Sequence, residues 1–199
     1  MITCWILALA AALVVPEAAT AQHGSGPGGL TTVAPREASQ FDFLVGQWEL
    51  TVRVPSPGGL AARIHGTPRL AGTWKAWRGL DGWGVEDELR IVDGSGNPLS
   101  LTHALRVFDA TARGWTSTTL DIYRARVTQG TGAWRDGQML VTAQGTDAEG
   151  HAYVSRGRYY DITPDGFKFQ QDRSLDGGRT WTEGAVRIEA KRVAAVAPR

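Results

Sequence analysis

The chain predicts an all-β fold, a single antiparallel up-and-down β-barrel spanning residues 41–193. Turn signals recur about every ten to twelve residues. They run from Ser56-Pro57-Gly58-Gly59 through Asp81-Gly82, Asp93-Gly94-Ser95-Gly96, Arg135-Asp136-Gly137 and Pro164-Asp165-Gly166 to Asp176-Gly177-Gly178. Gly accepts positive φ and Asp caps its own turn, so each cluster reverses the chain cheaply. The segments between them alternate apolar and polar residues with period two, and none sustains a helical period. Short strands joined in sequence by short turns favour an up-and-down barrel.

Ahead of this domain, residues 1–21 read as an export signal. Ile2 to Val15 is an apolar run too short to span a bilayer comfortably as a helix. Pro16 follows, then the small-x-small site Ala19-Thr20-Ala21, whose cleavage would leave Gln22 first. No Lys or Arg precedes the run, which leaves an uncleaved anchor as the competing reading. Cleavage would remove Cys4, the only cysteine, and with it any disulfide, thiol nucleophile or cysteine zinc site. The expected location is periplasmic or secreted, with no stable membrane insertion after cleavage. Residues 22–40, rich in Gly, Ser, Pro and Thr, read as a flexible tether. The remaining stretch is long enough for one domain with a real core. A net charge of +1 favours neither nucleic acid nor an anionic membrane as partner.

Period-two parity assigns inner faces in order. Trp48, Leu50, Val52 and Val54 alternate with Glu49, Thr51 and Arg53. Trp74 goes with Leu70 and Ala76, and is the best candidate for a cavity wall. Val85, Asp87, Leu89 and Ile91 share a face, as do Leu101, His103, Leu105 and Val107. Arg156, Arg158 and Tyr160 share parity, but alternation does not decide their direction. Facing inward, they could hold a carboxylate. Phe167, Phe169 and Gln171 align, and Val186, Ile188 and Ala190 lead to Arg192. Asp87, His103 and Gln171 are thus the polar minority on apolar faces, either satisfied buried groups or ligand contacts.

Four stretches resemble, in order, one bacterial family of unknown function that opens with F-D-F-x-x-G-x-W. They are Phe41-Asp42-Phe43-Leu44-Val45-Gly46-Gln47-Trp48, Leu105 to Asp109 with Trp115, Asp161-Ile162-Thr163-Pro164-Asp165-Gly166-Phe167, and Ser174-x-Asp176-Gly177-Gly178-x-Thr180-Trp181. That family is similar to the lipocalin and fatty-acid-binding barrels grouped as calycins. The resemblance covers Phe41 to Arg192 and implies a closed barrel of about ten strands with an internal cavity, and no activity. In lipocalin-type barrels an arginine of the last strand lies over the tryptophan of Gly-x-Trp. Trp48 and Arg192 would close this barrel in that way, a cation–π contact of about 1–2 kcal/mol when shielded. The alternative sends Arg192 into solvent. Nitrobindin-type haem barrels carry a glycine-rich extension after Gly-x-Trp, which Glu49-Leu50-Thr51-Val52 lacks. No cofactor is therefore expected.

No catalytic motif stands out. Ser174-x-Asp176-x-Gly178-x-Thr180-Trp181 fits the Asp-box hairpin of sialidase-type propellers, but one copy in a domain this small reads as a structural hairpin. His65 and His151 fall in loop-like segments, and the histidine spacing fits no zinc motif, so no metal is expected. The expected function is binding of a small apolar molecule, in one version with a carboxylate end. Trp74, Phe167 and Phe169 would form the wall, while Asp87, His103 and Gln171 orient the ligand. Two alternatives stand beside it: a barrel isomerase, cyclase or hydrolase with a His103–Asp87 acid–base pair, and a structural or interaction domain with a filled core.

Overall fold

The computed structural model describes residues 33–55, 69–147 and 149–194. The expected signal at 1–21, the first part of the expected tether, the Ser56 turn and His65 lie outside the described residues. Ten strands follow one another: β1 (Gly46–Arg53), β2 (Arg69–Gly79), β3 (Gly84–Val92), β4 (Pro98–Asp109), β5 (Gly114–Asp121), β6 (Arg126–Arg135), β7 (Gln138–Thr146), β8 (Ala152–Thr163), β9 (Gly166–Ser174) and β10 (Thr182–Ala194). Each pairs antiparallel with the next, and β10 returns to β1, so the barrel is closed and leaves no free edge. At that seam Trp48 stands opposite Arg192 and Val52 opposite Ile188. Among the described residues no helix is long and apolar enough to cross a membrane.

Side chains of turn aspartates build many of the reversals. Asp93 accepts from the backbone N–H groups of Ser95 and Asn97, and Asp121 from those of Tyr123 and Arg124. Asp176 accepts from the backbone N–H of Arg179 and of Thr180. The β6–β7 hairpin instead places both Asp136 and Gly137 at positive φ, the pattern of a tight type I′ reversal.

One end of the barrel is sealed by residues 35–44, the first six of which the sequence assigns to the tether. Arg36–Ser39 and Asp42–Leu44 form 3-10 turns, and Ala38, Phe41 and Leu44 are fully buried. Expected flexibility at 35–40 is therefore corrected: Gln40 accepts from the Trp115 indole N–H at 3.1 Å, and Arg78 bonds both the Ala38 carbonyl and Asp42. Phe41 meets Trp115 edge-on with ring centroids 4.8 Å apart, and Trp48 meets Phe167 at 4.9 Å. Burial of each such ring is worth about 1.5–3 kcal/mol. The Arg192 guanidinium lies 4.0 Å from the Trp48 ring centroid and donates to the Val45 carbonyl at 2.9 Å.

β4 overturns its expected parity. Thr102, Ala104, Arg106 and Phe108 face inward, so His103 is on the outer surface with Leu101, Leu105 and Val107, the last two each 39% exposed. The register is fixed by what the inner row meets: Phe108 packs on Trp115 at 5.6 Å, and Arg106 reaches Asp87.

Candidate functional site

Above the sealed end, the barrel encloses a cavity of about 510 Å³. Its shape follows from side-chain size. Trp74, Leu89, Phe169 and Ile188 supply bulk on one wall, whereas Ala104, Ser117, Thr119, Thr128 and Ala143 leave space on the other. Gly157 lets the Phe169 ring lie flat against β8, since a Cβ there would sit 3.0 Å from the ring. A larger hollow of about 890 Å³ lies over Thr116, Gln129, Thr142 and Trp181, but it is a shallow, solvent-open stretch of the outer wall.

The cavity floor is a buried polar network. The Trp74 indole N–H donates to Asp87 Oδ1 at 2.7 Å, and the other carboxylate oxygen is ion-paired with Arg106. Asp87 is 1% and Arg106 9% exposed, so each charge depends on the other for compensation. Arg106 also lies over the Phe41 ring at 5.4 Å, tying the floor to the seal beneath. Burial pushes the Tyr159 hydroxyl above its ordinary value, against the opposing charge and hydrogen bond of Arg106. The floor is thus neutral in sum and internally satisfied.

The open end carries different chemistry. Arg124 pairs with Asp121 at 3.0 Å, while Arg126, Tyr153 and Arg173 line the cavity beside them. The Arg173 guanidinium lies over the Tyr153 ring at 4.7 Å, and the Tyr153 hydroxyl is 3.3 Å from Thr128 Oγ1. Asp147, Glu149 and His151 bring one ligand atom each to within 4.8 Å of one another at the rim. Asp147 already accepts from the backbone N–H groups of Glu149 and His151, and Glu149 and His151 are exposed. This trio serves as a loop brace.

Of the residues singled out in the sequence, Trp74, Asp87, Phe169 and Gln171 line the cavity, with the Gln171 amide donating to Ser155 Oγ at 3.3 Å. Phe167 does not reach it. It is buried in the sealing cluster, 4.9 Å from Trp48 and 5.7 Å from Phe43. His103 points away, its Nε2 3.6 Å from Glu86 and its ring 5.8 Å from Trp77. Asp87 and His103 therefore lie on opposite faces of the sheet and form no acid–base pair. Arg156 faces outward, bonded to Asp172 at 2.9 Å and stacked 4.4 Å from Trp181, and Arg158 is exposed. Arg106, Tyr153 and Arg173 were missed. Parity carried two residues beyond Gln171 along β9 would have found Arg173.

Fold and site together define a lipocalin-like, ten-stranded barrel with an interior cavity. The chain is similar in structure to an S-type phycobiliprotein lyase from Guillardia theta, with a TM-score of 0.50 and 10% sequence identity over 81% of this chain and 97% of that one. At this identity the likeness shows the fold alone. No family model and no curated protein matches the chain, so the comparisons show the barrel and not the F-D-F-x-x-G-x-W family.

Proposed function

We propose that this protein is an exported binding barrel that holds a small, largely apolar molecule in its cavity. The observation that supports this most is the mismatch of the two walls. Bulky apolar groups face small ones across about 510 Å³ of space, above a floor whose polar atoms are already paired. Such a space favours a guest with an apolar body that asks no hydrogen bonds of the floor. Trp74 and Phe169 would contact that body, and Gln171 and the threonines of the opposite wall would orient its polar edge. The leader at 1–21 supports export, and its cleavage would leave the barrel periplasmic or secreted. The barrel of similar structure from Guillardia theta is an S-type phycobiliprotein lyase, and its likeness is in keeping with a guest held inside the barrel.

Native mass spectrometry of the protein purified from its own host tests this. A bound mass that leaves on denaturation is expected, and Ala143→Trp, which fills the cavity, should lose it. Bare polypeptide mass in the wild type, even after incubation with an apolar extract of that host, would overturn the proposal.

A further inference from the structure

We infer that the guest is an amphipathic carboxylate whose head sits at the open end, against Arg173. This rests on the cavity reading above and adds to it the class of ligand and its orientation.

Arg173 lacks the kind of acceptor that holds several other arginines in place. Arg106 has Asp87, Arg124 has Asp121, Arg156 has Asp172, and Arg192 has the Val45 carbonyl. Arg173 follows Asp172 directly, yet strand alternation turns that carboxylate to the outer face. There the Arg156 guanidinium and the Gly184 N–H hold it, at 2.9 and 2.8 Å. Among the described residues no carboxylate oxygen lies within 4 Å of Arg173. Its Nε is buried and has no hydrogen-bond partner.

What holds the side chain is the Tyr153 ring under its flat face, and that ring is itself steadied through the Thr128 hydroxyl. Stacking uses the face of a guanidinium and leaves its N–H edge available. That edge is the part that matches the two oxygens of a carboxylate. Arg126 brings a second guanidinium to the same end of the cavity.

The acidic groups nearby do not compete. Asp121 is paired with Arg124, Asp147 braces its own turn, and Glu149 is exposed at the rim. At the opposite end of the cavity the floor is neutral in sum and closed. A carboxylate buried there would meet Asp87, whereas at the open end it meets an unsatisfied cation. The head is therefore directed outward and the apolar body downward, onto Trp74 and Phe169.

The test titrates cis-parinaric acid and its methyl ester, which differ only at the head, into wild type, Arg173→Met and Arg173→Lys, with circular dichroism to confirm folding. Wild type is expected to bind the acid about tenfold or more tighter than the ester, on the order expected of a charge-assisted bidentate contact. Arg173→Met should abolish that preference while leaving ester affinity unchanged. Arg173→Lys, which keeps the charge but not the fork, should retain only part of it. Equal binding of acid and ester to wild type, or a preference that survives Arg173→Met, would overturn the inference and leave the cavity reading standing. Binding of neither probe by the wild type would overturn both. If Arg173→Met fails to fold, the wild-type acid-to-ester ratio and the lysine variant decide.

Discussion

The two ends of this barrel are made from the same ten strands and do opposite things with them. At the sealed end, rings from Phe41, Trp48, Trp115 and Phe167 meet edge to face, and their polar atoms find local carbonyls, as the Trp48 indole does with Leu44 at 2.7 Å. At the open end the inner rows carry arginine, aspartate and threonine, and the small side chains of β4 to β7 leave the middle unfilled. Stability is concentrated where large residues oppose large ones. Space is kept where large oppose small. The Asp87–Arg106 pair marks the border, buried like the first region and polar like the second.

That border is the place to break the contrast. Arg106→Met should leave Asp87 buried without its counter-charge, at a cost of about 3–5 kcal/mol in urea denaturation. A double variant that also replaces Asp87 with Leu should recover much of the loss, and failure to recover would mean that Arg106 acts chiefly through Phe41. Placing the same large side chain at each end sharpens the comparison. Ala38→Trp should overpack the seal and destabilise by about 1–3 kcal/mol, whereas Ala143→Trp, entering open space, should change stability by less than about 1 kcal/mol. Similar losses at both would mean that the cavity collapses in solution. Arg192→Ala removes a ring contact and hydrogen bonds to the Val45 and Pro164 carbonyls, and about 1–2 kcal/mol should go with them.

The smallest effect should come from acid, and at the open end. Three turn carboxylates there are held below their ordinary value. In Asp93 the Asn97 side chain and backbone N–H are the main cause. In Asp176 it is the Thr180 N–H and the hydroxyls of Ser174 and Thr180. In Asp147, burial pushes upward but the His151 and Glu149 hydrogen bonds together outweigh it. A depressed carboxyl stabilises fully above its unfolded value and loses that contribution as pH falls through the folded one. Protection of the Gly178 to Thr180 amides, taken relative to their intrinsic exchange rates, should thus fall as pH drops below about 4, ahead of protection in the seal. Asp176→Asn should remove most of that pH dependence, and loosening that begins in the seal instead would contradict the contrast.

Most reversals were legible in the sequence because Asp and Gly mark them, although the β5–β6 turn from Asp121 to Ala125 has no Gly and passed unmarked. The inner faces of β1, β3, β9 and β10 were legible because these strands alternate cleanly. That of β4 was not, and the reason is physical. Parity was oriented by assuming that the apolar row faces inward, which holds for a filled core. Around a polar cavity it fails: Leu105 and Val107 are outside, while Thr102 and Arg106 are inside. The error put His103 in the site and left Arg106 out of it. Phe167 and Phe169 show the complementary limit. Parity placed both on the inner face, but depth along the barrel, which parity does not encode, put one in the seal and the other on the cavity wall. The run from Pro35 to Gln40 looked like a tether because its composition is that of a linker; the burial of Ala38 depends on where Trp115 and Arg78 arrive from elsewhere in the chain.

The pairing of Trp48 with Arg192 also bears on how the molecule comes to exist. Hydrogen bonds between neighbouring strands can form as soon as each hairpin is available, but the β1–β10 seam joins the first strand to the last. Contacts so distant in sequence are slow to form. Until the final strand is present, β1 has an open edge and the ring of Trp48 has no guanidinium above it. Stepwise synthesis therefore yields no partly closed barrel; closure arises all at once, with β10. A chain cut before β10 is expected to be an aggregation-prone open sheet, not a weaker version of the same protein.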